Sequence, residues 1–382
     1  MAHHSTILAQ VLKIVPRHEI ASLTKAHHQG RDTPKINRWD QFVSLTTAQL
    51  TGRTSLRDVV SNLAAQAKKL YHIGSRAVSR SSLARFNEKQ PYDFYRDLFN
   101  KLLPRCQTMA PKHKFRFKNK LYSMDGSLID LSLSIFPWAK FNKSRGAIKL
   151  HLGLDHSGYL PAFATITEGK ASELTWAKTL SFPKGSILVF DRGYKSYEWL
   201  YSLHQREIFF VTRLPKNTRL EVLHEYELPE RRGLMNDQLV KLTGESASKC
   251  PAHLRRVVYW DAETNKRYVF FTNNFKLAAK TIANIYKERW QIELFFKWIK
   301  QNLKVKAFLG TSKNAVLTQV WAALCTCLIL AYLRFLSRTG LSMQQVLRLL
   351  QLNLFERRDL MPLITGSPPL LPNQNHNQLV LL

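Results

Sequence analysis

Between Asn314 and Leu333 the chain carries no charged residue. The run AVLTQVWAALCTCLILAYL is long enough to cross a bilayer, and it is apolar all round. Only lipid or a core closed on every side accepts such a helix. Thr318, Gln319 and Thr326 interrupt it, and it stands alone in a chain of formal net charge +30. A buried core helix is therefore expected, with other helices packed around it and no membrane partner. Cys325 and Cys327 then fall on different faces of it, as core or near-core thiols.

The charge balance narrows the partner. Lys and Arg number 57 against 27 Asp and Glu, in 382 residues of which 45% are hydrophobic. Such a chain is an ordered protein of two or three structural units, and its self-repulsion is offset by a polyanion. Nucleic acid is the leading candidate, ahead of an anionic membrane or ribosomal RNA. The four cysteines form no CxxC pair, which argues against a zinc site or a disulfide framework. His3 and His4 read as an incidental pair, and the N-terminus lacks the apolar core of a signal peptide. A reducing, cytoplasmic location is expected.

Residues 1–110 read as helices, with apolar residues at helical spacing near 5–14, 38–50, 55–70, 79–88 and 91–103. Ser55 and Ser79 stand as N-caps. The GSRAVSRSSLARF stretch resembles a helix-turn-helix, with Ser79, Arg80, Ser82 and Arg85 available to a DNA groove, or else a solvated basic face. A basic linker, Pro111 to Lys120, then introduces a change of period. Three strand-like runs, a helix, the strand SILVF, a helix and the strand IFFVTRL follow through residue 214. Residues 215–275 read as an all-β insertion, and residues 276–382 as the second part of the core, mainly helices, with a Pro-rich, polar tail. The fold class expected is α/β: a mixed-sheet core resembling ribonuclease H, interrupted by the β insertion and preceded by a helical domain.

Candidate chemistry lies in three acids. Asp125 sits in a half-apolar strand, where a carboxylate needs a cation or hydrogen bonds; the alternative is a hairpin turn signalled by Asp-Gly. Asp191 ends an apolar strand and precedes Arg192-Gly193-Tyr194, a position typical of ligands and catalysts. In IYKERWQIELFFKWIKQNL, about 100° per residue places Tyr286, Arg289, Glu293 and Lys300 within an arc of roughly 60°. Trp290 and Lys297 border that arc. Glu293 and Lys297 also fit a routine surface ion pair, and Glu288 reads as a solvated-face acid. Asp130 and Asp155 read as structural.

The spacing of Tyr286, Arg289, Glu293 and Lys300 resembles the Y-R-E-K signature of the insertion-sequence family four transposases, of the DDE superfamily. Asp125 in YSMDGS and Asp191 in VFDRGY look like that family's first and second catalytic acids. The resemblance implies that Asp125, Asp191 and Glu293 are catalytic and hold two Mg²⁺ ions, with Mn²⁺ as a possible substitute. One ion would activate water and later a 3′-hydroxyl, and the other would stabilise the leaving oxygen. Arg289 and Lys300 would grip a phosphate, Tyr286 would add a hydroxyl contact, and Lys297 would lie beside them. Trp260 would stack on a displaced base, or else serve as core. Residues 1–110 would be the DNA-binding region. The implied partners are DNA, as element ends and target, and a second copy in a DNA-bound homodimer associated with the nucleoid. A ribonuclease H-like nuclease without strand transfer, and a non-catalytic repressor descended from a transposase, stand as alternatives.

Overall fold

The charge-free run forms the helix Lys313–Ser337, and 94% of its most apolar 18-residue window is buried. The structure, a computed structural model, describes residues 5–31, 35–228, 233–303, 305 and 307–367. The His3–His4 pair and the Pro-rich tail lie outside these residues. Two compact units emerge, residues 1–109 with 299–382, and residues 110–298.

In the first unit the buried helix packs against Asp93–Met109, Arg38–Thr51 and Arg80–Lys89. Its thiols, Cys325 and Cys327, are buried: Cys325 Sγ donates to the Tyr95 carbonyl, and Cys106 of Asp93–Met109 donates its Sγ–H to the Leu328 carbonyl. A helix with no polar face needs such a surround, so the C-terminal helices group with the N-terminal ones. This corrects the expectation that everything after residue 276 completes the sheet-bearing core. The helix-turn-helix expectation also changes. Residues 75–79 have no helical structure, and a single helix starts at Arg80, N-capped by Ser79. The helices preceding it are Leu56–Ala65 and Ala67–Tyr71.

The second unit is built on one nine-stranded sheet. Its strands are β1 (Leu121–Leu131), β2 (Gly146–Asp155), β3 (Leu160–Glu168), β4 (Ile187–Val189), β5 (Phe209–Thr212), β6 (Leu220–Glu225), β7 (Leu234–Leu242), β8 (Leu254–Asp261) and β9 (Lys266–Thr272). They lie in the order β3-β2-β1-β4-β5-β9-β8-β7-β6. The first three are antiparallel, while β4 and β5 run parallel to β1. Short apolar β4, ILV, is buried on both faces, as parallel central strands are. Alternation along β1 sends Tyr122 and Met124 into a cluster with Trp176, Tyr194 and Trp199. It sends Leu121 into the opposite cluster, with Ile187, Val189, Ile282 and Ile285 of the Ala279–Glu288 helix.

The segment 215–275 contains β6 to β9 and the five-residue helix Glu245–Lys249, so it is not purely β. Nor does it form a separate sheet. β9 pairs antiparallel with β5 and carries the sheet onward.

Candidate active site

β1 and β4 are in register at Ser123↔Val189; Asp125 lies two residues further along β1 and Asp191 two residues past that point, beyond the end of β4, near enough to Asp125 to raise its pKa. Asp125 is no hairpin residue. β1 continues through Gly126, paired with His151 of β2, to Leu131. Asp191 caps the short 3-10 turn Arg192–Tyr194, its Oδ1 accepting the Gly193 N–H at 2.7 Å. That turn keeps the carboxylate at the end of the strand.

Asp125 Oδ1 accepts the Gly126 N–H at 2.9 Å, yet burial pushes the carboxyl up to about 7. The Gly126 N–H and Arg289 pull it down, while Glu173 and Asp191 push it up. Because the folded value lies above the ordinary one, the fold favours the neutral acid. That contribution to stability is fully present in acid and is lost as pH rises through about 7. The melting temperature of the metal-free protein is therefore expected to fall between about pH 5 and 8, by the equivalent of about 2–4 kcal/mol, and Asp125→Asn to flatten that slope. Thermal melts across this range check it; equal slopes in both proteins would refute the assignment.

The motif that carries Glu293 spans two helices, not one. Ala279–Glu288 ends and Trp290–Asn302 begins at Arg289, where Ile292 N–H bonds back only three residues to the Arg289 carbonyl. Arg289 Nη2 donates to Glu293 Oε1 at 2.6 Å, and its Nη1 lies 3.9 Å from Asp125 Oδ2. One guanidinium thus joins the acid on β1 to the acid on the helix. Burial works against that charge, but Glu293, Tyr286 and Asp125 outweigh it and hold Arg289 above its ordinary pKa. Glu293 engages Arg289 and not Lys297, the alternative partner that the spacing allowed, which is exposed. Lys300 follows on the same helix.

Tyr286 packs on Phe270 with ring centroids 4.8 Å apart, and Arg213 lies within electrostatic reach of its hydroxyl. Burial raises its pKa, with Arg289 and Arg213 opposing. Glu288 corrects the reading of a solvated acid. It is buried, bonded to Lys114 Nζ at 2.5 Å and to Tyr159 Oη at 3.1 Å. The break at Arg289 and the basic linker, which supplies Lys114, explain that burial.

Trp260 is 39% exposed on β8, on the face opposite the Tyr286 helix, so it is not core. Arg80 and Arg85 are exposed, while Ser79 and Ser82 bond each other in the N-cap. Asp130 pairs with exposed Arg145, and buried Asp155 holds Lys120 and the turn at Ser157; both are structural.

The structure adds residues that sequence reasoning missed. Glu173, in the helix Glu173–Lys178, approaches Gly126 and pairs with Lys149 at 3.5 Å. Burial raises its pKa, Lys149 opposes, and Asp191 adds to the rise. Ser172 caps that helix, so in sequence Glu173 reads as an ordinary first-turn acid. Gly126 directly after Asp125 was the one available signal.

Residues 117–330 match the family model described as a transposase DDE domain, and residues 3–76 match a domain of unknown function. The chain is 31% identical over 295 residues to the putative transposase y4zB of Sinorhizobium fredii, covering 76% of this chain and 81% of that one. It is 28% identical over 258 residues to the probable transposase for insertion sequence element IS5377 of Geobacillus stearothermophilus, covering 66% and 67%. A third relative, the putative transposase for insertion sequence element IS4SA of Synechocystis, is 22% identical over 339 residues, covering 85% and 90%. With the matched domain spanning more than half its length, the chain belongs to the DDE transposase family, enzymes of the insertion-sequence kind.

Proposed function

We propose that this transposase binds the ends of an insertion sequence, hydrolyses phosphodiester bonds there and transfers the 3′-hydroxyl ends into target DNA. Asp125, Asp191 and Glu293 are the catalytic acids. The observation that carries this reading is the convergence of Asp125 within β1, Asp191 just past the end of the adjacent parallel strand β4, and the Arg289–Glu293 pair. The order β3-β2-β1-β4-β5, three strands antiparallel and two parallel to β1, supports a ribonuclease H-like core.

The family works with divalent metal, and the donor set suits it. These are hard carboxylate oxygens whose mutual repulsion helps to hold Asp125 protonated. As they stand, no three His, Cys, Asp or Glu side chains among the described residues are grouped closely enough to bind one ion. The Arg289 guanidinium instead supplies the positive charge between Asp125 and Glu293. Two Mg²⁺ ions, or Mn²⁺ in their place, would be held by Asp125, Asp191 and Glu293. Bound there, such ions supply Lewis-acid stabilisation of charge at the reacting phosphate and lower the pKa of water.

The other residues position DNA. Arg289 turns its fork to a phosphate once its carboxylates are otherwise neutralised, and Lys300 adds a point charge on the same helix. Tyr286 contributes its hydroxyl, and exposed Lys297 borders the path. Trp260, half-exposed on β8, offers a face for an unpaired base. Arg80 and Arg85 present charge from the N-terminal helices, the proposed DNA-binding region. Joining two ends requires at least two copies, and the enzyme acts on cytoplasmic, nucleoid-associated DNA.

The test mixes purified protein with precleaved ends of its own element and a target plasmid, in Mg²⁺ or EDTA. Metal-dependent joining of ends to plasmid is expected. Cutting of intact ends without joining would make the chain a nuclease, and binding with neither would make it a repressor.

A further inference from the structure

Two short motifs around the proposed acids, Asp125-Gly126 and Asp191-Arg192-Gly193, share a glycine that no positive φ requires. Each glycine leaves room for a carboxylate, Glu173 at Gly126 and Asp191 at Gly193, and Glu173 lies within reach of both. A Cβ at Gly126 would stand 2.7 Å from Glu173 Oε1. A Cβ at Gly193 would stand 3.0 Å from Asp191 Oδ1 and 3.7 Å from Glu173 Oε2. Oxygens of Asp191 and Glu173 therefore lie near one point above the turn. β4 ends at Val189 while β1 runs on to Leu131. Glu173 lies over Gly126, whose missing side chain leaves its carboxylate room next to Asp125.

Tyr194 supplies an independent observation. Its side chain is fully buried and its hydroxyl has no hydrogen-bond partner. That hydroxyl lies within electrostatic reach of Glu173, Asp125 and Asp191, in that order of strength. An orphaned buried hydroxyl within electrostatic reach of three acids is costly unless the site takes up a further occupant, an ion with its waters being the natural one. Lys149, bonded to the Ala171 carbonyl at 3.0 Å, holds the Glu173 helix against β2 and balances one of the charges.

We infer that Glu173 is a fourth acid of the catalytic site, completing the divalent-cation site with Asp125 and Asp191. This rests on the assignment of those two acids as metal ligands. The competing account makes Glu173 only the ion-pair partner of Lys149.

The test is Mn²⁺ binding without DNA, followed by the loss of the free-ion electron paramagnetic resonance signal, alongside the melting temperature without metal. Glu173→Gln keeps the shape and a hydrogen bond to Lys149 while removing the charge. Gly126→Ala leaves every charge in place, and its methyl displaces the carboxylate. Both are expected to weaken Mn²⁺ binding on the order of tenfold or more, with the metal-free melting temperature of Glu173→Gln unchanged or higher. The ion-pair account expects Glu173→Gln to melt lower and bind Mn²⁺ as the parent does. Asp191→Asn is the control. If it weakens Mn²⁺ binding and the other two do not, Glu173 is excluded and the reading of the site stands. If Asp191→Asn also binds as the parent, the site reading fails and takes this inference with it. Should Glu173→Gln not fold, Gly126→Ala decides.

Discussion

Asp191→Asn is expected to lower metal-dependent cutting of element ends on the order of a thousandfold or more, while the protein still folds and still binds those ends. The choice of asparagine follows from the local geometry. Asp191 Oδ1 accepts the Gly193 N–H that starts the Arg192–Tyr194 turn, and an amide oxygen accepts it equally well. The turn, and the buried Tyr194 that ends it, are therefore preserved. What is lost is one negative charge beside Asp125. Removing it relieves repulsion, so Asp125 titrates at lower pH and the metal-free protein melts no lower than the parent. Polyanion binding does not suffer from the loss of an anion. Gel-shift and cleavage assays on the same preparation separate the two effects. Cutting at the parental rate would remove Asp191, and with it the strand-end site, from the mechanism; loss of binding together with cutting would mean that the turn had collapsed.

Much of this site was legible because strand ends and periodicity are local. Asp191 follows four apolar residues, Ile187 to Phe190, and precedes a glycine turn, and both signals lie within eight residues of sequence. The spacing of Tyr286, Arg289 and Glu293 was equally readable, although the helical break at Arg289 was not. That break depends on what packs on either side. It buries Glu288 against Lys114 and Tyr159, partners more than a hundred residues away in sequence. Glu173 was hidden for the same reason. Its capped first-turn position is locally unremarkable, and only the fold brings it over Gly126.

The fold divides along the same line. The Lys313–Ser337 helix announced its burial through composition alone, since no amphipathic face exists to be solvated. Its partners did not, because a helix buried all round carries no mark of which neighbours enclose it. The C-terminal helices were consequently assigned to the sheet-bearing unit, and they group with the N-terminal helices instead. Segment 215–275 was legible as strands from alternation. Its continuation of the central sheet was not, since Val211↔Thr272 is a pairing across about sixty residues that no local pattern encodes.

Arg255→Ala is expected to destabilise the sheet-bearing unit by about 3–5 kcal/mol, the largest loss of stability foreseen for any single substitution away from the acids. Arg255 on β8 is 8% exposed and grips Asp237 of β7, 6% exposed, through two bonds of 2.7 and 2.6 Å. Its third nitrogen donates to the carbonyls of Leu277 and Asn274, in the segment that leads into Ala279–Glu288. Truncation would strand the Asp237 carboxylate in the sheet and free two carbonyls at the entry to that helix. For a unit of this size the loss corresponds to a melting temperature lower by roughly 10 °C. Removing both charges by Arg255→Met with Asp237→Leu should recover most of it, because no lone buried charge then remains. The consequence for function follows from connectivity. The helix that Arg255 anchors carries Tyr286 and ends at Arg289, so even below its melting temperature the Arg255→Ala protein should cut more slowly. The double variant should regain stability but not full activity, since the two carbonyls lose their donor in both. Equal cutting by all three proteins at low temperature would show that the anchor serves stability alone.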